Sequence, residues 1–402
     1  MKKNYLLWAL AVVSLAGCSQ NEITEVSPDA HPAVGFSVYT GTQARGAETD
    51  NNAIKGSGKG FGILAYYTGQ NSMGTGYAPN FMWNQQVTFS STGGDHWEYT
   101  PLKYWPNTTS DKVSFYAYAP YEDQSTSPKI ALSANNATGY PTIKFQIADA
   151  AKDMVDLVTD SVINQTKTTE NVKFSLKHKL TKAVFKAKLE GEYFKESGDA
   201  DKTKIYITGI SLVGASSVST GFYSYATYTF EEGKGNWDYT TGSGDNDKAK
   251  LRDSDYSLES VLDLKDFSSS KGVGGYNKTS AIEIGSTTAQ ELFKSGEALY
   301  LIPANNASGI NNTSSGSKVQ VKVQLKYDIV TADSNVKDGR SVVPCEVTVD
   351  LPDGTLRQNT SYTYTFILGL TEVKVEASMD TDGWSTTNGE KNVDVPTKPA
   401  NP

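Results

Sequence analysis

Few side chains in this 402-residue chain have the types and spacing that enzymes use. The sequence has three histidines, His31, His96 and His178, and lacks the H-E-x-x-H spacing that brings two imidazoles to one zinc ion. It also lacks G-x-S-x-G, the pattern that places a serine nucleophile on a sharp turn between a strand and a helix. We therefore expect no catalytic residues, no metal site and no cofactor.

Two glycine-containing segments imitate ligand loops without meeting their requirements. In residues 56–60 the lysine is followed by glycine, where a phosphate-binding loop needs serine or threonine. Residues 380–384 begin like a calcium loop, but the glycine has the wrong offset and the bidentate glutamate is absent. Residues 56–60 are therefore interpreted as a linker or turn, and residues 380–384 are not expected to bind calcium.

The thiol of Cys18 has a clear chemical context. Lys2 and Lys3 precede an apolar run over residues 5–13 that is too short to span a bilayer, which is typical of a secretory signal. The run ends in Leu-Ala-Gly-Cys, which is similar to the lipobox in which a bacterial lipoprotein is acylated on its cysteine. An ordinary signal peptide with a chance cysteine is the alternative. We expect palmitate or related chains on Cys18, and an outer-membrane lipoprotein.

A strand and an open loop follow the lipidation segment. Val34, Phe36 and Val38 alternate with small or polar residues, which is the period of a half-buried strand. Residues 43–52 are small, polar and without periodicity, so they are predicted to form an exposed loop that proteases can reach. Arg45 and Gly46 lie in this loop.

Composition predicts a β-rich globular protein. The chain contains 23 Tyr, 14 Phe and 35 Gly, and many short alternating segments are separated by turn residues. The net charge of −8 argues against a nucleic-acid partner, which would require a basic surface. With Cys18 acylated, Cys345 has no disulfide partner and is interpreted as a small buried hydrophobe.

These patterns predict an all-β fold of two antiparallel β-sandwich domains in tandem. We expect a signal peptide over 1–17, a lipidated pro-segment with a removable first strand over 18–45, sandwiches over 46–165 and 166–384, and a mobile tail over 385–402. The polar stretch 161–170 places the boundary between the sandwiches. Between His178 and Phe185 the apolar alternation changes phase, which predicts a bulge or bend near Thr181.

An ordered set of motifs runs along the chain. The motifs are Trp97-x-Tyr99-x-Pro101, Tyr104-Trp105-Pro106, Phe115-Tyr116-Ala117-Tyr118-Ala119-Pro120, Asp156-Leu157-Val158, Phe174-x-Leu176-x-His178-x-Leu180, Leu299-x-Leu301-Ile302-Pro303, Asn359-x-x-Tyr362-x-Tyr364 and Trp384. This set resembles the fimbrillins, the subunits of type V pili of anaerobic Gram-negative bacteria. The resemblance covers nearly the whole chain and implies transthyretin-like sandwiches, export as a lipoprotein and polymerisation by strand exchange. It also implies trimming by a trypsin-like protease, for which the bond between Arg45 and Gly46 is the matching position.

Strand exchange needs a donor strand, and the C-terminal region offers one. Val373, Val375 and Ala377 repeat the alternation of the first strand, while the charged residues between them would face water. The alternative is that residues 371–377 pair permanently within their own domain.

Two classes of function remain open at this point. The first is a pilus subunit that assembles with other pilus subunits, supports adhesion and sits on the cell surface, where lipid on Cys18 binds the outer membrane until Arg45 is cut. The second is an uncut surface lipoprotein that binds a host glycan or protein. Aromatic residues between Trp97 and Tyr118 could stack on a glycan, although a sandwich core is the simpler interpretation.

Overall fold

The structure is a computed structural model that describes most of the chain outside the termini and several loops. It describes residues 31–40, 49–149, 153–191, 203–214, 222–231, 234–240, 242–244, 247–252, 255–257, 281–292, 298–303, 321–332, 335–336, 339–351, 356–369, 372–380 and 393–397. The predictions for Cys18, Arg45 and Gly46 therefore lie outside the described residues.

The described elements are one short helix and a long series of strands. The first part of the chain contains β1 (Phe36–Thr40), α1 (Asn51–Gly56), β2 (Phe61–Gly69), β3 (Met82–Ser90), β4 (His96–Glu98), β5 (Lys112–Ala119), β6 (Ile130–Leu132), β7 (Thr142–Gln146), β8 (Val158–Gln165), β9 (Val172–His178) and β10 (Thr181–Leu189). The rest contains β11 (Thr203–Leu212), β12 (Tyr223–Glu231), β13 (Lys234–Asp238), β14 (Lys250–Leu251), β15 (Tyr256–Ser257), β16 (Ile282–Ile284), β17 (Gln290–Glu291), β18 (Leu299–Leu301), β19 (Lys322–Ala332), β20 (Arg340–Asp350), β21 (Thr360–Leu368), β22 (Val373–Asp380) and β23 (Val393–Thr397).

These strands form four sheets, and the all-β prediction is confirmed. The first sheet has the order β1-β9-β8-β5-β2-β3-β4. The second has the order β17-β10-β21-β22-β23 with β18 beside β10, and the third β15-β11-β19-β20 with β16 beside β11. The fourth is β13-β12-β7-β6 with β14 beside β12. Most ladders are antiparallel, but the β1/β9 and β10/β21 ladders are parallel.

The first sheet is buried on both faces at its centre, which explains the long apolar runs in β2 and β5. Leu64 and Tyr66 of β2 join a large core that continues through the other three sheets. Ile63 and Ala65, on the opposite face, join a smaller core with Phe36 and the helix residue Ile54. Strands covered on both faces lose the hydrophobic and polar alternation of a half-buried strand. The smaller core is the one that holds β1.

The first sheet extends past the boundary expected at residues 165 and 166. Strand β9 pairs with β8 and β1, so residues 172–178 belong to the sheet built mainly from the N-terminal part of the chain. The fourth sheet combines β6 and β7 with β12, and thus joins strands from both sides of that boundary. The sheets therefore do not divide where the sequence places the boundary.

The phase change after His178 has a different origin from the expected bulge. Buried residues are even-numbered in β9 and odd-numbered in β10, as the sequence indicates. The two strands belong to different sheets, however, and only Lys179 and Leu180 separate them. The alternation changes phase because the chain leaves one sheet and enters another.

The C-terminal segment also departs from expectation. Residues 393–397, inside the predicted mobile tail, form β23 and pair with β22. The remainder of 385–402 lies outside the described residues. Among the residues that the structure describes, no helix is long and apolar enough to cross a membrane.

Candidate strand-exchange site

The strand predicted to be removable is β1, which lies at an edge of the first sheet. Strand β1 pairs in parallel with β9, in a register that runs from Phe36 opposite Val172 to Thr40 opposite Leu176. The backbone N–H of Val172 donates to the carbonyl of Gly35 at 2.8 Å. No other described strand pairs with β1, so β1 is the last strand of that edge.

The residues just before β1 are held from the other side by the segment 99–105. The N–H of Val34 donates to the carbonyl of Lys103 at 2.8 Å, and the N–H of Trp105 donates to the carbonyl of Pro32 at 3.1 Å. The hydroxyl of Tyr99 donates to the carbonyl of Val34 at 2.7 Å. Burial raises the pKa of Tyr99 to about 12, so this hydroxyl stays protonated and able to donate above the pH at which an exposed tyrosine ionises.

Residues 32–40 thus lie in a groove between β9 and the segment 99–105, which we call the strand seat. Its floor is aromatic and contacts Phe36. The ring centroid of Phe36 lies 6.5 Å from that of Phe61, 5.4 Å from Tyr99, 5.7 Å from Phe115 and 6.1 Å from Phe174. Aromatic pairs at these separations add to the free energy of burial.

The three residues expected to leave with the strand are buried to different extents. Val34 is 1% exposed and Phe36 is 2% exposed, whereas Val38 is partly buried against the same core. Trp105, Tyr116 and Tyr118, at 1% exposure or less, lie in the two cores. These three rings from the glycan-stacking hypothesis are therefore core residues, and Trp105 belongs to the core that holds the strand.

The far end of β1 contacts helix α1. The N–H and the hydroxyl of Thr40 both donate to Oδ1 of Asn51, at 2.9 and 3.2 Å. The helix begins there because the carboxylate of Asp50 accepts from the N–H of Ala53 at 2.7 Å, a side-chain cap. Our prediction of an open loop over residues 43–52 missed this helix, although an aspartate before a helical segment is a known start signal.

The segment after the predicted cut is anchored to a buried carboxylate. Oδ2 of Asp156 accepts from the N–H of Thr49 at 3.0 Å and lies 2.8 Å from Nδ1 of His178. The hydroxyl of Thr49 also donates to the backbone carbonyl of Asp156 at 2.6 Å. Asp156 is 0% exposed and His178, at the end of β9, is 8% exposed, so the two side chains form a buried pair with a structural role. Asp156 was predicted only as part of a family motif.

The proposed donor residues are buried in their own chain. Val373 and Val375 are 0% exposed and Ala377 is 2% exposed, in a strand that lies between β21 and β23. The charged residues of β22 are also engaged, since Nζ of Lys374 lies 2.6 Å from Glu190 and Nζ of Lys188 lies 3.1 Å from Glu376. In this monomer β22 is therefore paired with strands of its own sheet on both sides.

Within the described ranges, no group of three or more His, Cys, Asp or Glu side chains is placed to hold a metal ion. Cys345, expected to be a buried hydrophobe, is half-buried against the large core. Burial raises the pKa of its thiol.

Comparison with known proteins identifies relatives over nearly the whole chain. The model of the family described as fimbrillin-like matches residues 45–381. The chain is 36% identical to fimbrium subunit Fim1C of Phocaeicola vulgatus, over 96% of this chain and 97% of that protein. A crystal structure of a fimbrial protein from Bacteroides vulgatus superposes with a TM-score of 0.68 at 32% identity, over 88% of this chain and 99% of that one.

Proposed function

The chain belongs to the fimbrillin-like family, and we propose that it is a structural subunit of a type V pilus that polymerises by strand exchange. One observation carries the proposal. The first strand is an edge strand on an aromatic seat, and it connects to the body through the segment that contains Arg45. A single cut after Arg45 would leave β1 held only by non-covalent contacts.

Loss of β1 would leave a surface that is unstable in water. Burial of side chains such as Val34 and Phe36 contributes about 1.5–3 kcal/mol each, and each hydrogen bond adds about 1 kcal/mol. Their sum is comparable with the roughly 5–15 kcal/mol by which a domain is stable. The emptied strand seat would also expose the backbone groups of β9, which can pair with a strand from another molecule.

We propose that the replacing strand comes from the C-terminal region of a second subunit, which gives a head-to-tail polymer. Strand β22, with Val373, Val375 and Ala377, is one candidate donor because it repeats the alternation of β1. Strand β23 is the second candidate, and the sheet order favours it: β23 is the outermost described strand and would break one ladder on leaving, whereas β22 would break two.

The proposal includes export as a lipoprotein. Acylation of Cys18 would attach the precursor to the outer membrane, and two or three chains suffice for stable attachment. Because Cys18 precedes Arg45, trimming would separate the lipid from the body and free the subunit for assembly. Cys18→Ala should abolish labelling with palmitate and mislocalise the precursor. Labelled C18A protein on the cell surface would refute this step.

Trimming is tested on the protein isolated from cells. We expect Gly46 as its first residue, and we expect Arg45→Ala to yield monomers that keep β1. An intact Arg45 with acylated Cys18 on the mature surface protein would instead support a tethered lipoprotein that binds a glycan or a protein.

The donor strand is tested separately from trimming. Val373→Asp combined with Val375→Asp should prevent polymerisation of trimmed protein if β22 is the donor. A chain ending at Asp380, which lacks β23, should prevent it if β23 is the donor. Polymers formed by both variants at the wild-type yield would refute donation from this end of the chain.

A further inference from the structure

The side chain of Asn51 marks the end of the strand seat. Its Oδ1 atom accepts two hydrogen bonds, one from the backbone N–H and one from the hydroxyl of Thr40. Thr40 is 1% exposed, so these bonds lie out of bulk water, where an acceptor left without donors is costly. No other described side chain forms a hydrogen bond with residues 36–40. Asn51 is therefore the described side chain that contacts the C-terminal end of β1 through hydrogen bonds.

Asn51 is held in place by the body of the protein and not by β1. It is the first residue of α1, whose start is capped by Asp50 and whose residue Ile54 is 2% exposed in the smaller core. Thr49, two residues earlier, is fixed to the buried carboxylate of Asp156. All of these residues follow Gly46 in the chain, so they would stay with the subunit after a cut at Arg45, while Thr40 would leave.

We propose that Asn51 sets the register of the strand that replaces β1, by selecting a residue with both a backbone N–H and a side-chain hydroxyl at the position of Thr40. This inference rests on the proposed strand exchange. Any residue except proline supplies the N–H, but only serine or threonine supplies a hydroxyl on a short side chain. A slip of one residue would turn every side chain of the incoming strand to the opposite face. A fixed polar contact at one end therefore adds to the register set by the aromatic floor.

The sequence of β23 meets this requirement. Val393-Asp394-Val395-Pro396-Thr397 has the same length as Phe36-Ser37-Val38-Tyr39-Thr40, with apolar residues at the first and third positions and threonine at the fifth. Placing β22 so that Val373, Val375 and Ala377 replace Val34, Phe36 and Val38 brings Met379 to the position of Thr40, and methionine has no hydroxyl. The same register brings Pro396 to the position of Tyr39, where a backbone N–H would face β9, and Lys391 to the position of Val34, so β23 matches β1 at Val393, Val395 and Thr397 only. At the position of Thr40, Asn51 thus favours a strand of a second copy of this chain that ends with Thr397.

The contact is tested first in the trimmed monomer, where no polymer is required. Thr40→Val keeps the backbone N–H and removes the hydroxyl, and it should speed release of the cut N-terminal fragment about fivefold, as expected for one hydrogen bond. Asn51→Ala should speed release by about tenfold or more. Asn52→Ala is the matched control, because Asn52 is exposed and follows directly in the helix. Equal release rates for N51A and N52A would overturn the proposal.

The identity of the partner residue is tested in polymers of the full trimmed chain, by the rate at which they lose subunits in mild denaturant. Thr397→Val and Asn51→Ala should each speed dissociation, about fivefold and about tenfold. The double variant should dissociate no faster than N51A alone, because both changes remove the same contact. The assignment of Thr397 would be overturned if the double variant dissociated faster by the product of the two single effects. It would also be overturned if the T397V polymer dissociated like wild type. If trimmed wild-type protein forms no polymer, the proposed strand exchange fails, whereas normal polymers from N51A refute only the role of Asn51.

Discussion

Two sheet edges of the molecule differ in whether their residues impede pairing with another strand. Strand β1 ends the first sheet with five residues, of which none is charged and none is proline. Among the described strands, β20 lies at an edge of the third sheet and has eleven residues. It contains Pro344, Glu346 and Asp350, and its Val343 is 52% exposed.

The position of Pro344 explains the difference. The N–H of Leu351 donates to Val321 at 3.0 Å, and the β19/β20 register runs without a shift from residue 350 to residue 340. Because backbone groups alternate in direction along an antiparallel strand, odd-numbered residues face β19 and Pro344 faces outward. Proline and charges at an edge impede pairing with other chains. The long edge is therefore protected against association, and the short edge that would be exchanged is not.

The largest effect should come from the aromatic seat. Phe36→Ala in the untrimmed chain should lower the free energy of unfolding by about 3–5 kcal/mol, because the ring leaves a cavity among four aromatic neighbours. Tyr39→Ala, on the same strand but 53% exposed, should change it by about 0.5 kcal/mol or less. Chemical denaturation measures both. Similar losses for the two variants would contradict the description of β1 as a strand buried on one face.

A smaller effect is expected from the hydroxyl of Tyr99. Tyr99→Phe removes the donor to Val34 and should cost about 1 kcal/mol at pH 7. The pKa of Tyr99 is raised in the folded state, so its contribution should be complete below about pH 10, the ordinary value, and should disappear as the pH approaches 12. Denaturation of wild type and Y99F at several pH values tests this. An advantage of wild type over Y99F that persists unchanged or grows between pH 10 and 12 would contradict it.

The smallest change in stability should come from the protected edge. Pro344→Val lies on an exposed part of β20 and should alter the free energy of unfolding by about 0.5 kcal/mol or less. It supplies an outward N–H, so it should cause self-association that sedimentation detects. Adding Val343→Lys should return the protein to a monomer. A strictly monomeric P344V would show that the proline is not what protects this edge.

Much of the fold could be predicted from local patterns. The alternation of Val34, Phe36 and Val38 predicts a strand with one buried face, and the buried positions of Val34 and Phe36 agree with it. Helix α1 was missed because the only start signal is Asp50, and a six-residue helix offers little periodicity to recognise. Asn51 could not be recognised as a strand-end contact from sequence, since its partner Thr40 lies eleven residues earlier in the chain.

Local sequence patterns establish which residues alternate, where the alternation changes phase and which family motifs occur in order. They do not establish which strands pair, and this is seen only in the folded chain. The alternation changes phase between His178 and Thr181. The sequence pattern predicts a bulge there, whereas in the structure the chain passes from one sheet to another. The physical reason is that alternation depends on neighbours within one strand, whereas pairing depends on backbone hydrogen bonds and core contacts between distant segments. Strand β9 joins the first sheet because Phe174 packs against Phe36 and Phe61, more than one hundred residues earlier.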